Sequence, residues 1–276
     1  MSNNIIRVLI PTDFSIQSEF AYKMVQNLSK KVEMEVTFLH ILNVPDTVTL
    51  QEKNQIETCG EIDIDYVQTQ YDMALSKLKD IESKNEGVQT KIKLGKITAN
   101  IVEFAKEGDF DFIAIGTKGI SGLAEKLIGS EAQHIAKKSE VPVLTLMCDR
   151  SELKLQNILL VHNFEENQNQ SLDLLKIFIK AFHTKLHFLQ ITKDLSEEEQ
   201  IKKNMKVFAQ NNNIETFEMH VLKDTNVEEG VYHFNQMHDM DMVCMGTHGK
   251  GGLLHKSATA ALINHMYKPV ISYKIK

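Results

Sequence analysis

Cysteine is scarce in this chain. Cys59, Cys148 and Cys244 are the only three in 276 residues. They are far apart, odd in number and show no Cys-x-x-Cys spacing, which argues against a disulfide framework and a cysteine-based metal site. A reducing compartment, the cytoplasm, is the expected location. No apolar run approaches the ~20 residues needed to span a bilayer, so no membrane partner is expected. Positive charge is also short. Lys and Arg number 31 against 37 Asp and Glu, a net charge of -6, which gives no reason to expect nucleic-acid binding. Met1-Ser2-Asn3-Asn4 leads straight into a strand-like run, without the basic, apolar and cleavage-site succession of a secretory leader. The chain also lacks His-Glu-x-x-His and Cys/His clusters. Nine of its eleven histidines lie in the second half. His183 and His187 straddle an expected helix-to-strand turn, and His233 and His238 do not share a helix face. Structural histidines, and no metal, are the expectation.

What is present is an apolar fraction of 42%, enough for a real core, and one glycine-punctuated stretch, Ile113 to Ser130. An apolar β-type run, Phe112 to Ile115, is followed by Gly116, Gly119 and a loop ending at Gly129-Ser130. Ala132, Ile135, Ala136 and Ser139 then fall at helical spacing. Glycine permits close backbone approach and positive φ, and a helix N-terminus favours an anion such as phosphate. A phosphate cradle is one reading. A capping box formed by Ser130 and Gln133 is the other, and needs no ligand. The stretch is neither a Walker A loop nor a Gly-x-Gly-x-x-Gly fingerprint. Lys118 and Lys126 are candidates to reach phosphates, although surface loops carry lysines anyway.

Around this stretch, strand and helix patterns alternate. Arg7 to Pro11 reads as a buried strand, with Asp13 and Ser15 in the turn after it. Ala21, Met24, Val25 and Leu28 form one buried helix face. Glu35 to Val44 is the second strand, and Pro45 to Asp63 is polar and irregular. Ile64 to Ile81 is a helix with Val67, Tyr71, Ala74, Leu75 and Leu78 inward. Val88 to Leu94 is a strand. Ile97 to Lys106 is a helix burying Ile101, Val102 and Ala105. Phe110 to Ile115 and Val141 to Met147 are the last two strands. This alternation predicts an α/β fold with a doubly wound parallel sheet; in the order 3-2-1-4-5 its first and fourth strands are neighbours. Such sheets bind ligands beyond the strand carboxyl ends, where the order reverses. The strands ending near Asp13 and Gly116 flank that point.

The pattern then repeats. Asp109-Phe-Asp-Phe-Ile-Ala-Ile-Gly-Thr-Lys-Gly119 echoes Asp239-Met-Asp-Met-Val-Cys-Met-Gly-Thr-His-Gly249, and Val8-Leu-Ile-Pro-Thr-Asp13-Phe echoes Ile158-Leu-Leu-Val-His-Asn163-Phe. Leu175, Phe178, Ile179 and Phe182 repeat the first helix, Leu186 to Ile191 the second strand and Pro269 to Tyr273 the closing strand. Two tandem domains are expected, 1–149 and 155–276, joined by a short charged linker near Asp149 to Lys154. In the second copy Asn163 replaces Asp13, and the Gly129-Ser130 pair has no equivalent.

The spacing Gly116, two residues, Gly119, nine residues, Gly129-Ser130 resembles the ATP-binding signature of the universal stress protein family, and Val8-Leu-Ile-Pro-Thr-Asp13-Phe-Ser15 resembles that family's first strand. The resemblance covers nearly the whole chain, twice. It implies an adenine nucleotide α-hydrolase-like fold with the same strand order and a regulatory, stress-response role without dedicated fast catalysis. ATP or another adenine nucleotide would be bound in the first domain, with magnesium as an optional companion. On the same resemblance, Asp13 and the Ile41 region belong around the adenosine, Gly116, Gly119, Gly129, Ser130 and the Glu131 backbone around the phosphates, and Pro11, Thr12 and Ile115 complete the nucleotide-binding set. No second carboxylate, Ser/His/Asp set or activated cysteine accompanies Asp13, so no catalytic residue is assigned. The Ser-Gly-Gly-x-Asp-Ser loop of adenylating relatives and the His-Ile-Gly-His of synthetases are missing. The alternatives are a slow ATPase and a ligand-free interaction module. The family's habit of pairing closing strands implies an intrachain pseudo-dimer through Val141 to Met147 and Pro269 to Tyr273, with further homodimerisation left open.

Overall fold

The computed structural model describes residues 5–117, 128–164, 172–248, 258–259, 261–263 and 266–275. The first half runs β1 (Ile6–Pro11), α1 (Ile16–Ser29), β2 (Met34–Leu42), a small hairpin of β3 (Val48–Leu50) and β4 (Ile56–Thr58), α2 (Ile64–Lys84), β5 (Gln89–Leu94), α3 (Ile97–Glu107), β6 (Phe112–Gly116), α4 (Ile128–Lys138) and β7 (Val143–Leu146). The second runs β8 (Asn157–Val161), α5 (Asp173–Phe182), β9 (Lys185–Thr192), α6 (Glu198–Asn211), β10 (Glu218–Lys223), α7 (Val227–Met237), β11 (Met242–His248) and β12 (Val270–Ile275). No described helix is long and apolar enough to cross a membrane.

Ten strands form one sheet in the order β10-β9-β8-β11-β12-β7-β6-β1-β2-β5. Within each half the five strands take the order 3-2-1-4-5 and pair in parallel. Among the described strands of this sheet the one antiparallel contact is β7 on β12, where Thr145 faces Val270 and Val143 faces Ser272. Thr145 Oγ1 donates to the Val270 carbonyl at 3.2 Å, so a side chain reinforces the junction. Parallel strands connected through helices are covered on both faces, which is why they read as continuous apolar runs. Ile6, Val8 and Ile10 of β1 point into the layer under α1, α5 and α6, whereas Leu9 points into the layer under α3, α4 and α7. The first layer is continuous across the junction, because Phe112 and Phe178, both fully buried, meet edge to face at 6.2 Å.

The repeat extends to single hydrogen bonds. Asp111 Oδ2 accepts from the Arg7 amide at 2.7 Å, and Asp241 Oδ2 accepts from the Asn157 amide at 2.7 Å. Phe14 and Phe164, in the turns after β1 and β8, both take positive φ, 63° and 51°. The stretch read as irregular, 45–63, contains the β3–β4 hairpin. Val48 and Ile56 bury themselves against Val67 and Tyr71 of α2, a tertiary partner that local propensity does not reveal. Leu75 and Val102, expected inward, are half-buried. The charged segment after β7 is tied down. Asp149 pairs with Lys23 at 3.1 Å, and Asn27 Nδ2 donates to the Leu153 carbonyl at 2.8 Å.

Candidate functional site

β1, β2 and β6 end together at the point where the strand order reverses. The turn that follows β1 holds itself by side-chain bonds. Thr12 Oγ1 accepts from the Phe14 amide at 3.0 Å, and Asp13 Oδ1 accepts from the Ser15 amide at 3.0 Å. Ser18 Oγ donates to the Ser15 carbonyl at 2.8 Å, tying the start of α1 to the same turn. Asp13 remains exposed at the mouth of the crevice. A local Asx-turn therefore accounts for part of its conformation without any ligand.

A cavity of about 240 Å³ opens here. Its floor is made by Pro11, Thr12 and Asp13 after β1, Leu39, His40 and Ile41 of β2, and Ile115 and Gly116 of β6. Its walls are Gln17 and Ser18 of α1, Ile97 and Ile101 of α3, and Glu131, Ala132 and Ile135 of α4. Seven of the sequence-derived candidates, Pro11, Thr12, Asp13, Ile41, Ile115, Gly116 and Glu131, thus share one cavity. Gly119 lies outside the described residues, as do Lys118 and Lys126. Gly129 and Ser130 stand in the first turn of α4, which begins at Ile128. Ser130 is therefore inside the helix and not at its N-cap, so the capping-box reading is corrected. The first-turn amides of an α-helix have no intrahelical partners as a rule.

Gly116 has a reason of its own. A Cβ there would lie 1.8 Å from the Gln17 carbonyl oxygen, so the glycine lets β6 abut the backbone of α1. The close approach expected for a ligand is made by a helix. Glu131 is likewise engaged, its carboxylate accepting a short bond from Thr98 Oγ1 of α3. Two further polar residues belong to the lining. Gln17 Oε1 is buried and has no hydrogen-bond partner among the described residues. His40 Nδ1 donates to the Thr12 carbonyl at 2.8 Å, which fixes its tautomer and leaves Nε2 as an acceptor. Burial pushes the His40 pKa below its ordinary value, so the ring is neutral near pH 7. Gln17, Ser18 and the isoleucines of α3 and α4 were not singled out as site residues from the sequence. Their helical faces were legible, but which end of the sheet they close over was not.

The second half keeps the turn and changes its chemistry. His162 occupies the position of Thr12 and accepts from the Phe164 amide at 2.7 Å through Nδ1. Its ring packs on Phe164 and Phe208, with centroids 5.1 and 5.0 Å away. Phe164 also packs on Phe188 at 5.0 Å, so an aromatic cluster backs this turn in the layer under α5 and α6. Gln190 stands where β2 has His40, and Asn163 where the first turn has Asp13.

A family model described as the universal stress protein family matches residues 5–146, from β1 to the end of β7. A universal stress protein of Methanocaldococcus jannaschii is 31% identical over 147 residues, 53% of this chain and 84% of its own length. One from Bacillus subtilis is 30% identical over 145 residues, 50% of this chain and 96% of its own. The crystal structure of a universal stress protein from Archaeoglobus fulgidus aligns over 99% of both chains with a TM-score of 0.74 at 19% identity, a likeness of fold. The matched segment is more than half of the sequence and contains the whole crevice just described, and the chain belongs to the universal stress protein family.

Proposed function

We propose that the first-half crevice binds an adenine nucleotide, ATP foremost, and that the chain is a regulatory nucleotide-binding protein without fast catalysis. The observation that carries this reading is the convergence of Asp13, Ile41 and the start of α4 on one cavity at the sheet's reversal point, where open α/β sheets take ligands. Leu39, Ile41, Ile97, Ile101 and Ile135 supply apolar walls for a base. Gln17 Oε1 is an acceptor awaiting a donor, and an unsatisfied buried acceptor costs about 1–3 kcal/mol, which an exocyclic amine would offset. Asp13, on the cavity lining, would accept from ribose hydroxyls. The first turn of α4, Gly129 and Ser130 included, would offer helix-start amides to a phosphate chain. Magnesium would arrive with ATP, because Thr98 already holds the Glu131 carboxylate and leaves only Asp13 among the described acidic lining residues. Catalysis is not built in. Among the described lining residues His40 is the single imidazole, and burial weakens it as a base.

On this reading the chain is two domains, 1–149 and 155–276, joined through β7 and β12 as a pseudo-dimer in a cytoplasmic setting. The second domain, with Asn163 for Asp13 and no equivalent of the Gly129-Ser130 pair, is the structural partner. Calorimetric titration with ATP is expected to give about one site per chain, by simple mass action, and Gly129→Val is expected to abolish it while circular dichroism stays unchanged. Unaltered affinity in the variant would overturn the site, and two equivalent sites would overturn the division of roles.

A further inference from the structure

At the other end of the sheet, where the strands begin, the second half assembles a cluster that no spacing along the chain announces. His187 lies in β9, and Glu218 and His220 lie in β10. The register pairs His187 with Glu218, and His220 two residues on shares their face of the sheet. His187 Nδ1 is 3.1 Å from His220 Nε2 and 3.2 Å from Glu218 Oε2, and His220 Nε2 is 3.6 Å from the same oxygen. From this geometry we infer that His187, Glu218 and His220 form a binding site for a divalent first-row cation of the zinc type.

The distances favour it. A tetrahedral ion held at ~2.0–2.1 Å by each ligand atom sets those atoms ~3.3–3.4 Å apart, and the three observed separations bracket that value. Two imidazoles and a carboxylate are the borderline donor set that such ions prefer over calcium or magnesium. His187 also has an orienting partner, since its Nε2 lies 3.3 Å from Asn157 Oδ1 of β8. A proton on Nε2 donated to that amide oxygen turns the Nδ1 lone pair toward the cluster, as metal-binding histidines require. Access is from the edge. β10 is the last strand of the sheet, the His187 side chain is 6% exposed, and the Glu218 side chain is 43% exposed. Two cationic or titratable neighbours bear on the site: Lys185, which holds Glu218 Oε1 at 2.5 Å, and His238, whose ring lies 5.5 Å from that of His220. The bound ion would pin the edge strand β10 to β9. The first half has no counterpart, because the same register places Thr37, Gln89 and Lys91 at these positions.

The test uses the full chain, freed of metal by a chelator and titrated with Zn²⁺ alone and with Co²⁺ as a spectroscopic probe. The expected result is one tight Zn²⁺ per chain and the visible absorption of tetrahedral Co²⁺. Replacing both histidines, His187→Gln with His220→Gln, removes both signals. Asn157→Ala weakens binding about 10- to 100-fold, the usual effect of losing an orienting partner. His233→Gln, remote from the cluster, changes nothing. Should the double variant fold poorly, Glu218→Gln on the half-exposed edge is expected to lose affinity with its fold intact. A parent that binds no Zn²⁺, or variants that bind it as the parent does, would overturn the proposal.

Discussion

The two halves of this chain share a frame and differ in what the frame carries. Both clip their first and fourth parallel strands with an aspartate, Asp111 or Asp241, on a backbone amide. Both put a phenylalanine, Phe14 or Phe164, at positive φ after the first strand. Yet the first half opens a cavity beside Asp13 and His40, whereas the second packs His162 and Phe164 into an aromatic cluster. At the opposite end of the strands the contrast reverses, with the histidine cluster in the second half and Thr37, Gln89 and Lys91 in the first. The difference teaches that backbone clips and buried apolar faces specify the sheet, while the few side chains at strand ends are free to diverge.

Three experiments bear on this comparison. The largest effect is expected at Phe178, fully buried at the meeting of the halves against Phe112. Phe178→Ala should cost about 3–5 kcal/mol and shift one cooperative unfolding transition, read by denaturant melts with probes in each half. Two transitions, only one of them shifted, would mean that the halves fold independently. Next comes Gly116→Ala. Its Cβ would collide with the Gln17 carbonyl, so a loss of about 1–3 kcal/mol is expected with or without nucleotide. Full stability with lost ATP binding would show that the glycine serves the ligand instead. The smallest effect belongs to the exposed pair His233–Asp224 of the second half, 2.7 Å apart. The hydrogen bond that His233 donates to Asp224 raises the His233 pKa, and the same bond lowers that of Asp224. A raised histidine stabilises the folded chain fully below its unfolded value of about 6.5 and loses that contribution as pH rises through the folded value. A depressed aspartate contributes above its unfolded value of about 3.9 and loses it as pH falls. His233→Gln should therefore melt slightly below the parent in mildly acidic buffer and equal it in alkaline buffer. A deficit that persists at high pH would assign the loss to packing.

Much of the fold was legible in the sequence because its signals are local. Val8 to Ile10 and Ile113 to Ile115 are apolar on both faces, as strands covered twice must be. Ala21, Met24, Val25 and Leu28 mark one face of α1, and all four are buried. The echo of Asp109 to Gly119 in Asp239 to Gly249 disclosed the repeat. The glycine spacing pointed to the stretch leading into α4, but it did not locate the start of that helix or the partner of Gly116.

By itself, then, the sequence determined the alternation of strands and helices, their buried faces, the repeat and the crevice residues nearest the strand ends. Periodicity and turn chemistry act between residues a few positions apart, and they survive in a linear reading. Only the tertiary structure decided what Gly116 abuts, why Val48 and Ile56 are buried, which walls close over Asp13, and that His187 faces Glu218 and His220. Those outcomes depend on strand register and helix docking between segments tens of residues apart, a matching of surfaces that no single stretch of the chain contains.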